Sequence, residues 1–104
     1  MWNVPSKELL DKIPRLYETE EIPLAEKIIH MHFFIGGCDW YVAEYDGEDL
    51  LFWGFVNLND ILSSEWGYFS FKDLKSYNIR GVEIDFDLYW KVRPAKQVPV
   101  IKCY

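Results

Sequence analysis

His30 and His32 stand two residues apart. On a strand, that spacing puts both imidazoles on one face, about 6.6 Å apart along the backbone and within reach of one metal ion. A site needs a third ligand, for which Glu44 and Asp46 are the candidates, and the Cys and His spacings of structural zinc sites are absent. The expectation is therefore a pair of histidines lining a polar sheet face, with no metal or other cofactor assigned. A metal-dependent nuclease or hydrolase built on the two is the alternative. Glu83, Asp85 and Asp87 repeat the same spacing. Such a row of carboxylates binds Mg²⁺, does acid and base work, imitates a line of phosphates, or keeps an edge strand from aggregating. Glu44, Asp46, Glu48 and Asp49 form a third acidic group around one turn. No Gly-rich phosphate loop, Cys-x-x-Cys, His-Glu-x-x-His or Gly-x-Ser-x-Gly occurs. That argues against nucleotide-dependent enzymes, thiol oxidoreductases, zinc proteases and α/β hydrolases.

The formal net charge is −6 and is unevenly spread. Residues 1–52 carry eleven acids and four bases, residues 53–104 six acids and seven bases. Between Lys27 and Lys72 no basic residue occurs, whereas Asp39, Glu44, Asp46, Glu48, Asp49, Asp60 and Glu65 all lie there. A surface of this kind repels nucleic-acid phosphates and attracts basic partners. Direct nucleic-acid binding is not expected, even with 18% aromatic residues that are able to stack bases, because single-strand binders also need a positive groove. Most of those rings are expected in the core, with one or two left for a protein interface.

The elements that position these groups read as one domain. The chain has 104 residues, half of them apolar, which is enough for one core and well clear of the disordered regime. Its apolar runs, the longest from Leu50 to Val56, are far shorter than the roughly 20 residues of a membrane span. Without a basic and apolar leader at the N-terminus the expected location is cytoplasmic, with Cys38 and Cys103 as free thiols. Ser6 caps a short helix with Leu9, Leu10 and Ile13 inward, ended by Pro14. A polar connector runs from Arg15 to Glu26. Strand patterns follow from Lys27 to Ile35, Asp39 to Tyr45, Glu48 to Leu58 and Trp66 to Phe69. Gly36-Gly37 turns the first pair, and Asp46-Gly47 suits a tight hairpin with positive φ at both central positions. Residues 59–65 read as loop or one helical turn. Ser70 caps a second short helix, after which Val82 to Trp90 alternates as a half-exposed strand. Val98, Val100 and Ile101 pin an extended tail. Connections this short favour antiparallel pairing, so the expected fold is α+β, with a sheet of four to five antiparallel strands and two short helices.

Several strings together resemble a known family. They are Leu16-Tyr17-Glu18-Thr19-Glu20, Ile22-Pro23-Leu24, the hairpin Trp40 to Asp49, Glu65-Trp66-Gly67-Tyr68-Phe69-Ser70 and Asp87-Leu88-Tyr89-Trp90. In these the chain, over roughly Pro14 to Pro94, is similar to domain-of-unknown-function family twenty-nine fifty-eight, short bacterial proteins of plasmids, phages and other mobile elements. The resemblance implies that genomic setting and no activity. Combined with the acidic surface, it leads to the expectation of a non-enzymatic module that inhibits or modulates a host nucleic-acid enzyme, of the anti-restriction or anti-CRISPR type. Glu44, Asp46, Glu48, Asp49, Glu83, Asp85 and Asp87 are the expected contacts to a basic protein partner. An accessory subunit of a plasmid-encoded complex is the further alternative.

Overall fold

The computed structural model describes residues 1–103. Helix α1 (Lys7–Asp11) begins where the Ser6 hydroxyl accepts the Leu9 N–H at 3.2 Å, satisfying one of the donors that a helix start leaves open. Leu10 and Ile13 are buried behind it, whereas Leu9 is exposed. In chain order the strands are β1 (Ile28–Ile29), β2 (Met31–Ile35), β3 (Cys38–Asp46), β4 (Leu51–Leu58), β5 (Glu65–Ser70), β6 (Asn78–Ile79), β7 (Val82–Glu83), β8 (Asp85–Phe86) and β9 (Arg93–Pro94). Helix α2 (Phe71–Ser76) follows β5 directly, its Asp73 N–H capped by the Ser70 hydroxyl. The main sheet has five strands in the order β5, β4, β3, β2, β8, all antiparallel. Two small ladders, β1 with β9 and β6 with β7, complete the expected α+β fold.

Both faces of the sheet are apolar, so two cores form. On one face Leu10 of α1 and Phe71 and Leu74 of α2 share a core with Phe33, Val42, Phe52 and Phe86. On the opposite face the C-terminal tail seals Ile29, Tyr41, Ala43 and Phe55 under Ala95, Val98 and Ile101. Each buried phenyl ring contributes about 2–3 kcal/mol by leaving water. The expected pinning of the tail by Val98 and Ile101 follows from this second core.

Local structure departs from the expected strands at three places. The Lys27 to Ile35 segment breaks at His30, whose N–H bonds the Val42 carbonyl at 2.8 Å. Ile29 and Met31 consequently enter different cores instead of sharing a face. The hairpin joining β3 and β4 pairs Asp46 with Leu51, so its loop is Gly47 to Leu50 rather than a two-residue turn. Positive φ falls on Leu50, at 53°, while the Asp46 carboxylate accepts the Glu48 N–H at 2.9 Å and bends the chain itself. Left-handed geometry costs a leucine about 1–2 kcal/mol; packing of Leu50 on the core and the 2.8 Å bond from the Phe71 N–H to its carbonyl offset it. The Val82 to Trp90 strand is broken into β7, β8 and a turn. Its aspartates cause this: Asp85 accepts the Phe86 N–H and Asp87 the Tyr89 N–H, local bonds that compete with a ladder.

Candidate functional site

A β-bulge decides what the open face of the sheet presents. Val42 pairs with Gly54 and Glu44 with Trp53, which leaves Ala43 as an extra residue on β3. Ala43 and Glu44 therefore follow each other on one face, and Tyr45 returns to the core beneath the helices. Gly54 makes the bulge possible, since a Cβ there would stand 1.8 Å from the Tyr41 carbonyl oxygen.

Glu44, turned to this face, is only 4% exposed. Its carboxylate accepts the Tyr17 N–H at 2.9 Å, the Thr19 N–H at 3.1 Å and the Thr19 hydroxyl. Lys27, equally buried, donates to the Thr19 carbonyl and hydroxyl and lies 5.2 Å from the centre of the Trp53 ring. The acidic connector is thereby stapled onto the sheet, with Tyr17 held in the left-handed region at φ 72°.

Between connector and sheet a cleft of about 410 Å³ is lined by Tyr17, Glu20, Leu24, Lys27, Glu44, Trp53 and Tyr68. Tyr68 donates its hydroxyl to that of Tyr17 at 3.2 Å. That bond, then partial desolvation, then the charges of Tyr17, Glu44 and Glu20 push the Tyr68 phenol above its ordinary pKa. Both carboxylates are thus felt at the aromatic rim. Ring faces and carboxylates around a concave site suit an ammonium or guanidinium group, which the ring quadrupole and the negative charge both attract, and the chain's own Lys27 ammonium over Trp53 already uses part of that complementarity. Trp66 stacks on Trp53 at 5.0 Å and backs this wall.

The residues singled out on the sequence fall into different environments. Asp46 is half-buried, and Glu48 and Asp49 are exposed at the hairpin tip. The tip borders a groove shared with Lys7, Asp11 and Arg15, so its acids face bases as well as solvent. Glu44 is corrected from a surface contact to an interior cross-link, because every carboxylate oxygen is engaged inside the chain. Glu83, Asp85 and Asp87 do not form one ladder: β7 and β8 belong to different sheets. Glu83 accepts the Met1 ammonium, Asp85 the Asn3 side-chain amide at 3.0 Å, and Asp87 pairs with His32. These three carboxylates hold the chain together.

His32 is clamped between two acids, its Nδ1 2.9 Å from Asp87 and its Nε2 2.8 Å from Asp39. The ring stacks on Tyr41 at 4.7 Å, and Asp39 also receives the Asn57 amide at 3.4 Å. Two carboxylates at opposite ends of one imidazole do not converge on a shared ion. Burial lowers the His30 pKa below its ordinary value, and no contact joins His30 to His32. Among the described residues no group of three or more His, Cys, Asp or Glu side chains is arranged to hold a metal. Tyr41, buried and flanked by Asp39 and Asp87, has its phenol pushed up to about 12 against an opposing effect of Arg93. Cys38 and Cys103 are free thiols, and among the described residues no helix is long and apolar enough to cross a membrane.

Sequence reasoning missed the cleft. Tyr17 and Glu20 lay in a segment read as a polar connector and Lys27 at the start of a strand pattern, and no motif for chemistry marks Trp53 or Tyr68. The one available signal was three aromatic side chains and a Glu-rich stretch without partners in the sequence pattern. Comparison with protein families, with curated proteins and with solved structures finds no match to this chain.

Proposed function

We propose that this chain is a non-enzymatic binding module for a protein partner that presents basic side chains, and that it inhibits or modulates a host nucleic-acid enzyme in the setting of mobile DNA. The observation that supports it is the cleft of Tyr17, Trp53 and Tyr68 rings with the exposed Glu20 carboxylate at its rim and the buried Glu44 behind it. Glu18 and Glu21 in the connector and Glu48 and Asp49 at the hairpin tip are exposed as well. The mobile-DNA setting rests on the sequence resemblance alone. Glu83, Asp85 and Asp87 leave the contact set because they are bonded internally, and with them goes the row of carboxylates that would imitate phosphates. A hydrolase using His30 and His32 has no comparable support, since both nitrogens of His32 are engaged by carboxylates. An accessory subunit would use the same surface for a different partner.

The test reverses charge at exposed positions, with Glu20→Lys, Glu48→Lys and Asp49→Lys combined. None of the three makes a side-chain hydrogen bond among the described residues, so stability should move by no more than about 0.5 kcal/mol per site. A host protein retained by the parent chain and lost by the variant at equal melting temperature is the expected result. Equal retention by both would refute the electrostatic reading. Added to a restriction or CRISPR nuclease that it retains, the parent chain should slow DNA cleavage.

A further inference from the structure

We infer that the outer edge of β5 is a docking strand for an extended basic peptide segment of the partner, with neighbouring side chains of that segment entering two clefts on opposite faces of the sheet. This deepens the proposed function and rests on it for the chemistry of the partner. The backbone supplies the first observation. Phe71 N–H bonds the Leu50 carbonyl, and β5 pairs with β4 in register from Glu65 with Val56 to Ser70 with Leu51. By the alternation of an antiparallel ladder, Glu65, Gly67 and Phe69 turn their amides toward β4, and Trp66 and Tyr68 turn theirs outward. Among the described residues nothing bonds the outward N–H and C=O groups of Trp66 and Tyr68. β5 is six residues long, without proline or bulge, and carries one charged residue, Glu65. Sheet edges are ordinarily blunted by such devices.

The side-chain surroundings supply the second observation. Tyr68 lines the aromatic cleft with Glu20 and Glu44 on one face. It also borders a second cleft of about 400 Å³ on the other, where Val56, Asp60, Glu65 and Gly67 form the wall. A Cβ on Gly67 would meet nothing within 4 Å, so the second cleft is open beside the edge. Successive residues of an added strand point to opposite faces. A lysine-arginine pair seated against Gly67 and Tyr68 therefore sends one cation to each cleft, where Glu20, across from the buried Lys27, and Glu65 are the carboxylates that make no side-chain hydrogen bond among the described residues. Charge selects a basic segment as the occupant, because Glu65 and Asp60 border one cleft and Glu20 and Glu44 the other.

The probe is a capped hexapeptide, threonine-valine-lysine-arginine-valine-threonine, titrated into the whole chain. Amide hydrogen exchange, read residue by residue, should slow about tenfold or more at Trp66 and Tyr68. Glu65, Gly67 and Phe69, already bonded to β4, should be unchanged. Methylating alternate peptide nitrogens should weaken binding about tenfold per bond lost in one register and hardly at all in the other. Glu20→Lys and Glu65→Lys should each weaken the parent peptide and not an analogue with both basic residues replaced by threonine. Peptide binding that ignores methylation overturns the edge strand while leaving the basic-partner reading standing. Insensitivity to both glutamate reversals overturns that reading as well, and a dimer at working concentration that excludes the peptide assigns the edge to self-association and overturns the proposal.

Discussion

Gly54 and Gly67 face each other across β4 and β5, and alanine at the two positions should have opposite effects. At Gly54 the new Cβ would lie 1.8 Å from the Tyr41 carbonyl oxygen, 2.9 Å from its carbon and 3.2 Å from the Ala43 nitrogen. All three are backbone atoms of β3, buried between two cores, so no side chain is able to swing away. An ordinary contact needs the strands to part by about 1.5 Å or more, which strains or breaks ladder bonds on both sides of the bulge. Overpacking costs about 1–3 kcal/mol and each ladder bond about 1 kcal/mol, giving a loss of roughly 3–5 kcal/mol. A domain of this size has only about 5–15 kcal/mol in total. At Gly67 nothing lies within 4 Å, and alanine there should gain roughly 0.5–1 kcal/mol by restricting the unfolded chain. Urea unfolding followed by tryptophan fluorescence measures both. A Gly54→Ala variant within 1 kcal/mol of the parent would refute the account of the bulge, and with it the reason Glu44 faces the cleft.

Two further outcomes follow from buried groups. Glu44→Ala would leave the Tyr17 and Thr19 amides and the Thr19 hydroxyl without their acceptor, for a loss of roughly 3–5 kcal/mol in urea unfolding; a change under 1 kcal/mol would show that the connector is not held this way. Stability should also fall at both ends of the pH scale. Tyr41 keeps its proton to about 12 when folded, whereas the unfolded chain releases it near 10, so its contribution is intact below pH 10 and declines by up to roughly 2–3 kcal/mol toward pH 12. At the acid end the unfolded chain protonates His30 near its ordinary value while the folded chain resists, so stability drops as pH falls through 6.5. Tyrosinate absorbance in which every tyrosine titrates near 10, or unfolding energies flat across both windows, would contradict these assignments.

Much of the fold was legible because it rests on local chemistry. Ser6 and Ser70 cap helices by the short-range rule that suggested them, and alternation in β3, β4 and β5 gave the strands. What alternation does not contain is a change of phase. The bulge at Ala43 and the break at His30 each move one residue to the other face, and both are set by backbone pairing with another strand. Aspartates misled the reading for a related reason. Asp85 and Asp87 look like the polar half of a strand, yet their oxygens bond nearby amides and bend the chain. The candidate site was less legible still, because the cleft joins Tyr17 to Tyr68 across fifty residues through a bulge that no local pattern announces.

The acids of this chain divide by what they face, and that division bears on function more than the total charge does. Glu44, Asp39, Asp85, Asp87 and Glu83 each meet a donor from a remote segment and act as cross-links in a fold whose helices are only five and six residues long. Among the described residues Glu20, Glu48, Asp49 and Glu65 meet no side-chain donor, and they lie at the connector, the hairpin tip and the β5 edge. The far edge of the sheet is different: β8 has two residues, Asp85 and Phe86, and the carboxylates of Asp85 and of Asp87 beside it are already engaged. An open six-residue edge with unpaired carboxylates on both faces, opposite a short edge closed by its own acids, makes the β5 side the direction from which a basic partner is best received.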